Sequence, residues 1–226
     1  MSFRELIKEI DKLGVDSVWI VIIISFFIGA VITIQLSLNM TSPLIPRFTI
    51  GYSTREIILL EFSSTVMCLI LAGKVGSSIA ELGTMRVTEQ IDAMEVMGVN
   101  SANYLILPKI IGFMLFVPVL SIISMSTGIV GGYLACSLVP NLPRSDFEYG
   151  LQLFFSPYNV FYSIIKSVAY AFIISSVAGY YGYTVKGGAL QVGKASTNAV
   201  VQCSILVLVA DLLLIYCLRK CYTNVL

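Results

Sequence analysis

The sequence of 226 residues contains no histidine, and only 12% of its residues are charged. Soluble domains carry about 25% charged residues, so the sequence is poor in charge of both signs. The missing histidine excludes catalytic and zinc sites that depend on imidazole ligands or bases. The net charge of +1 gives no indication of nucleic-acid binding.

The five cysteines form no CxxC pair, and most of them lie inside apolar runs. This distribution does not indicate a disulfide framework, and we interpret the cysteines as small apolar side chains. We therefore expect no metal site in this chain. The cysteines are Cys68, Cys136, Cys203, Cys217 and Cys221.

Hydrophobic residues, in contrast, make up 57% of the sequence. Several runs of about 20 residues are nearly free of charge, which is typical of transmembrane helices. We predict an all-α integral membrane protein that forms a single transmembrane domain over residues 1–226. The third run would be roughly 50 Å long as a helix, so we predict one long, tilted span. The five predicted spans cover about residues 15–38, 57–82, 105–139, 160–183 and 198–218.

The segments outside these spans are predicted from local patterns. Residues 1–14 carry Phe3, Leu6, Ile7 and Ile10 at helical spacing, which predicts a helix in the membrane interface; a solvated helix start is the alternative. Residues 39–56 and 184–197 contain glycine or proline and are predicted as loops. In the second of these, Gly188, Gly193 and Lys194 come close to a P-loop, but Ala195 stands where Ser or Thr is needed. Energy for any active process must therefore come from another chain.

Lysine and arginine indicate the orientation of the chain in the membrane. With the N-terminus in the cytoplasm, eight basic residues lie inside and five outside. The inner group is Arg4, Lys8, Lys12, Lys74, Arg86, Lys109, Lys186 and Lys194; the outer group is Arg47, Arg55, Arg144, Arg219 and Lys220.

A charged segment, GTMRVTEQIDAMEVMG, separates the second and third spans. Thr84 is a suitable N-cap and Gly98 a suitable end, which predicts a helix over residues 84–97. On a helical wheel, Val87, Ile91 and Met94 share a face that would pack on the membrane domain. The opposite face would be a docking surface for a soluble partner, or simply the outside of a chain reversal. Its residues are Met85, Arg86, Glu89, Asp92, Glu95 and Val96.

The ionisable residues predicted at membrane depth are Glu61, Lys166 and Asp211. A charge facing lipid at mid-bilayer costs at least ~2.5 kcal/mol, so these side chains should face the protein or a water-filled cavity. Lys166 and Asp211 lie on adjacent spans and can pair. The pair would fix helix packing, bind a polar ligand, or form the relay of a secondary transporter or ion channel. A membrane scaffold without transport activity is a further alternative.

The segment AGKVGSSIAELGTMRVTEQIDAMEVMGV, residues 72–99, resembles the signature of the MlaE family. The similarity extends to FFIGAVITIQ (26–35), IIKSVAYAFIISSVAGYYGY (164–183) and LVADLLL (208–214). The resemblance implies a permease subunit of an ABC transporter that moves phospholipids together with a periplasmic Mce-domain protein. It also implies that residues 84–97 form a coupling helix that docks into a cytoplasmic ATPase, which would hold the ATP and Mg²⁺.

From the resemblance and the depth of the polar residues, we expect a lipid cavity shared by two copies of the chain. An odd number of spans leaves no internal repeat, which also favours a homodimer. The expected location is the bacterial inner membrane, with the N-terminus in the cytoplasm and no catalytic residue in this chain. The residues expected to line the cavity are Gln35, Glu61, Glu81, Lys166 and Asp211.

Overall fold

The structure, a computed structural model, describes residues 16–40, 46–139 and 142–225. The interfacial helix predicted for residues 1–14 lies outside the described residues. Within them, the regular elements are all helical, and five helical stretches are long and apolar enough to cross a membrane. This confirms the predicted all-α membrane fold. The five stretches are Ser17–Asn39, Phe48–Val87, Ser101–Cys136, Pro157–Tyr183 and Ala189–Cys217.

The helices follow one another with short connections. We number those of the described residues α1 to α8, and a π-helical segment, Ile58–Val66, joins α2 to α3. The predicted third span is indeed one long helix, α5. In chain order the helices are α1 (Asp16–Asn39), α2 (Phe48–Ile57), α3 (Met67–Val87), α4 (Gln90–Val96), α5 (Ser101–Cys136), α6 (Arg144–Gln152), α7 (Pro157–Tyr183) and α8 (Ala189–Val225).

Two segments predicted as loops, residues 39–56 and 184–197, are partly helical. In the first, Gly51 lies inside α2, where an added Cβ would be 2.4 Å from the carbonyl oxygen of Phe147. This glycine allows α2 and α6 to approach closely and does not break the helix. In the second segment, Gly187 has a φ of +109° and precedes α8, which then runs through Gly193. The hydroxyl of Thr197 donates to the carbonyl of Gly193 at 3.2 Å, so its polarity is satisfied within the helix.

The chain divides into two compact units. The first unit contains Cys68–Val117 and Lys166–Leu226, and the second contains Ser17–Met67 and Pro118–Ile165. The second unit packs α1 against α5 through glycines: a Cβ on Gly29 would be 2.0 Å from the carbonyl oxygen of Gly128. The hydroxyls of Ser25 and Ser124 form a hydrogen bond of 2.8 Å beside this crossing. Small residues let membrane helices approach closely in this way.

The π-helical segment of the second unit carries Glu61, whose side chain is half-buried. Ser121 of α5 donates its hydroxyl to the carbonyl of Ser63 at 3.0 Å. Such a bond satisfies a backbone group within an irregular stretch of a membrane helix. The neighbouring helix therefore supports the irregular backbone around Glu61.

Arg55 is one of the largest fully buried side chains of the second unit, and its burial was not predicted from the sequence. The sequence predicts it in a loop on the outer side, yet the structure places it in α2, where it is only 2% exposed. Its Nη1 donates to the carbonyls of Leu151 and Leu153, at 2.6 and 2.9 Å, just where α6 ends. Its Nη2 lies 2.7 Å from Oε1 of Glu56. Arginine can bind several carbonyl and carboxylate oxygens at once, which explains its burial.

We expect Gly29→Ala to destabilise the protein, since the added methyl group would collide with the backbone of α5. Overpacking of this kind costs roughly 1–3 kcal/mol. The matched control is Gly73→Ala, because a Cβ on Gly73 meets nothing within 4 Å. The control should be neutral or stabilising by up to about 1 kcal/mol. Thermal unfolding in detergent tests both variants, and equal stabilities would contradict the close crossing of α1 and α5.

Candidate functional site

The first unit buries an ion pair between α7 and α8. The Nζ of Lys166 lies 2.7 Å from Oδ1 of Asp211, which confirms the predicted pairing. The same carboxylate oxygen accepts a hydrogen bond of 2.6 Å from the hydroxyl of Tyr170, one helical turn from Lys166 on α7. The lysine is 0% exposed and the aspartate 15%. A buried ammonium is tolerated only when it is paired, so Asp211 is required for Lys166 to occupy this position.

Lys166 and Asp211 differ in burial, and they therefore differ in whether they can contact a ligand. Lys166 and Tyr170 are both inaccessible, and both approach the same oxygen of Asp211. Asp211 keeps some accessible surface, so it is the member of the cluster that can contact a ligand without a change of conformation. Sequence analysis missed Tyr170, although its position four residues after Lys166 places both on one face of α7.

Glu81 forms a second ion pair in the first unit. Its Oε2 lies 3.2 Å from the Nζ of Lys109, and the two side chains are 40% and 11% exposed respectively. Sequence analysis counted Lys109 only as a cytoplasmic charge. Its position inside the apolar run 105–139 is the signal that marks it as a residue needing a partner.

The residues predicted to line the cavity belong to both units. In the first unit, Lys166 contacts Asp211, while Glu81 contacts Lys109. In the second unit, Gln35 is exposed on α1 and Glu61 is half-buried in the π-helical segment. Their role in a lipid cavity stays a prediction.

The charged segment between α3 and α5 contains a helix, but this helix begins later than predicted. Thr84 does not cap it: its hydroxyl donates to the carbonyl of Ala80 at 2.7 Å inside α3. The chain turns at Glu89, which has a φ of +58°, and α4 then covers Gln90–Val96. Gly98, with a φ of +78°, follows its end as predicted. An ion pair of 2.6 Å between Arg86 and Asp92 spans the corner.

The two faces of α4 differ in burial. Ile91 is fully buried, as the wheel predicted, while Val96 and Met97 are 89% and 71% exposed. Glu89, Asp92 and Glu95 are also exposed. The exposed side thus combines acidic groups with two apolar side chains, a composition suited to contact with a protein partner.

A network at Glu95 connects α4 to two membrane-spanning helices. Tyr183, the last residue of α7, donates to Oε1 of Glu95 at 2.7 Å. Ser101, the first residue of α5, donates to the same oxygen at 2.9 Å, and its hydroxyl is also 2.9 Å from that of Tyr183. The guanidinium of Arg86 lies over the Tyr183 ring, 5.5 Å from its centroid. Sequence analysis did not single out Tyr183 or Ser101.

The network favours the ionised form of Glu95. The hydrogen bonds from Tyr183 and Ser101 lower the pKa of this carboxyl below its ordinary value, and the charge of Arg86 acts in the same direction. Because the pKa is lowered, the contribution of Glu95 to stability is present above its ordinary pKa and is lost as the pH falls through the lowered value.

Comparison with known families matches residues 6–217 to the family described as Permease MlaE. The chain belongs to this family. It is 35% identical over 219 residues to a probable ABC transporter permease protein of Rickettsia bellii, covering 95% of this chain and 83% of that protein. It is 31% identical over 212 residues to a probable ABC transporter permease protein of Synechocystis sp., covering 93% and 80%.

The MlaE-family chain also resembles a plant protein. It is 30% identical over 219 residues to the protein TRIGALACTOSYLDIACYLGLYCEROL 1, chloroplastic, of Arabidopsis thaliana, covering 95% of this chain and 61% of that protein. The family match runs over residues 6–217, a range that contains α4, Lys166 and Asp211.

For this MlaE-family permease, we expect Lys166→Met to lower the free energy of unfolding by about 3 kcal/mol, because Asp211 loses its buried partner. Adding Asp211→Leu should restore most of the loss, since no charge is then left unpaired. Recovery should be incomplete, because the buried hydroxyl of Tyr170 loses its acceptor. Thermal unfolding of the single and double variants measures the difference. Additive losses in the double variant would contradict the coupling of the two residues.

Proposed function

We propose that this MlaE-family permease is the membrane subunit of an ABC transporter that moves phospholipids. Two of its relatives carry the name ABC transporter permease, and the plant relative is named after a galactolipid. The name of that lipid supports a lipid substrate for this chain, and family resemblance favours phospholipid. The observation that carries the proposal is the exposed surface of α4, which combines acidic and apolar side chains between two membrane-spanning helices.

In this proposal, a separate cytoplasmic ATPase binds ATP and Mg²⁺ and docks on α4. The docking surface consists of the exposed acidic and apolar side chains of α4 and of the residues directly before and after it, Glu89 and Met97. Within the predicted set, Arg86 and Asp92 pair with each other, and Glu95 binds Tyr183 and Ser101. Glu89, Val96 and Met97 are then the side chains best placed to meet the partner. This chain itself performs no covalent step.

The substrate would lie in a cavity shared by two copies of the chain. Only 11% of the residues in the most apolar 18-residue stretch of α8 are buried, and the exposed side chains of this helix are largely apolar. Lipid and a second copy together would cover such a surface. Acyl chains suit these apolar walls, while Asp211 offers a carboxylate to a lipid headgroup. Lys166 and Tyr170 then orient that carboxylate, and Gln35, Glu61 and Glu81 are the other proposed polar contacts.

The distribution of basic residues in the sequence supports a cytoplasmic N-terminus, and α4 would then lie on the cytoplasmic side. The proposed location is the bacterial inner membrane, with a periplasmic Mce-domain protein as the lipid-binding partner on the outer side. Membership of an ABC permease family removes the basis for the ion-relay alternative, because these permeases depend on an ATPase for energy. No observation favours that alternative specifically.

The docking proposal predicts that Glu89→Lys weakens the association with the ATPase, since it reverses a charge at the exposed corner before α4. An exposed charged contact contributes roughly 0.2–1 kcal/mol, so its loss lowers affinity by up to about fivefold. The measurement is the amount of ATPase that co-purifies with the tagged permease from detergent, together with the native mass of the complex. The wild-type complex should contain two copies of this chain.

The matched control is Glu148→Lys, the same charge reversal at an exposed position of α6 in the other unit. This variant should keep its ATPase, because α6 lies on the side predicted to face away from the cytoplasm. Full retention of the ATPase by Glu89→Lys would contradict docking at this corner. A wild-type complex with a single copy of this chain would contradict the shared cavity.

A further inference from the structure

Helix α4 has only seven residues, too few to be stable in isolation. Its position is therefore set by its contacts with the rest of the first unit. Ile91 anchors it through burial, and the Arg86–Asp92 pair ties it to α3. Its other side-chain connection is Glu95, which receives hydrogen bonds from the ends of two long helices. A displacement of α4 must break these contacts or carry the bonded residues with it.

Tyr183 is better placed than Ser101 to pass such a displacement on. Its hydroxyl binds both Glu95 and Ser101, and its ring lies under Arg86. It thus contacts groups on both sides of the corner between α3 and α4. It is also the last residue of α7, so its position defines the cytoplasmic end of that helix under the proposed orientation.

The end of α7 is packed too tightly to absorb a movement locally. A Cβ on Gly182 would be 2.8 Å from the Cβ of Leu82, and one on Gly179 would be 2.7 Å from a side-chain carbon of Ile106. From Tyr183, α7 runs without interruption for roughly 25 Å to Lys166. A displaced Tyr183 would therefore shift α7 as a body and act on the Lys166–Asp211 pair.

We infer that Tyr183 is the positioning residue through which a displacement of α4 reaches α7 and the Lys166–Asp211 pair. The inference rests on the proposed docking of an ATPase at α4 and adds the route from that docking surface into the membrane. Tyr183 does not contact substrate in this scheme. Its hydroxyl keeps Glu95, and with it α4, in a fixed relation to α7.

The test is Tyr183→Phe, which removes the hydroxyl and leaves the ring beneath Arg86. The matched control is Tyr181→Phe, whose hydroxyl donates to Gln202 of α8 and not to α4. The first measurement is amide hydrogen exchange of the purified permease without its partners. In Tyr183→Phe the amides of α4 should exchange roughly threefold faster, because one of the bonds that hold this short helix is lost. In the control they should exchange at the wild-type rate.

The second measurement uses the complete complex in vesicles of phosphatidylethanolamine and phosphatidylglycerol. It compares movement of a fluorescent phosphatidylethanolamine with ATP hydrolysis in the same sample. Tyr183→Phe should assemble and hydrolyse ATP like the wild type, yet move several-fold less lipid for each ATP consumed. A stability defect alone would lower both rates together, so the ratio separates positioning from folding.

Three results would overturn the inference. They are unchanged exchange of α4 in Tyr183→Phe, an unchanged ratio of lipid moved to ATP hydrolysed, or loss of the ATPase from this variant, which would assign Tyr183 to docking. Failure of the proposed function looks different, since the wild-type complex would then show no ATP-driven lipid movement. In that case the exchange measurement on the permease alone still decides whether Tyr183 holds α4 to α7.

Discussion

The packing of the first unit depends on the buried ion pair between Lys166 and Asp211. An ammonium group without accessible surface is stable in an apolar bundle only if a carboxylate compensates it, so α7 and α8 must meet at this level. Tyr170 completes the cluster and satisfies the same oxygen. The arrangement fixes the register of two long helices and leaves Asp211 as the accessible group. The cluster of Lys166, Tyr170 and Asp211 can therefore both hold the two helices together and contact a ligand.

The short helix α4 supplies what the apolar spans lack, an exposed surface of mixed charge. Its geometry depends on a strained residue at one end, Glu89, and a glycine at the other, Gly98. The corner is held by Arg86, and the Glu95 network joins it to α5 and α7. The exposed surface of α4 is thus bonded directly to the helix that carries the buried ion pair.

Sequence analysis predicted the features that follow from hydrophobicity and periodicity. These include five spans, the unbroken third span, the burial of Ile91 and the pairing of Lys166 with Asp211. It misread Gly51 as a breaker, because a glycine that permits close packing has the same local pattern as one that ends a helix. It also missed the burial of Arg55 and the partner of Lys109, since both depend on groups distant in sequence. The start of α4 was wrong because Thr84 can bond equally well as a cap or within α3.

The most direct test of the account is ATP-driven phospholipid movement by the double variant Lys166→Met with Asp211→Leu, reconstituted with its ATPase. The measurement is made per folded complex, so that residual instability does not enter. The account predicts that this variant assembles and hydrolyses ATP but moves lipid no faster than protein-free vesicles, because the carboxylate that meets the headgroup is gone. Wild-type lipid movement would show that the pair serves only to pack α7 against α8, and would contradict its proposed place in the lipid pathway.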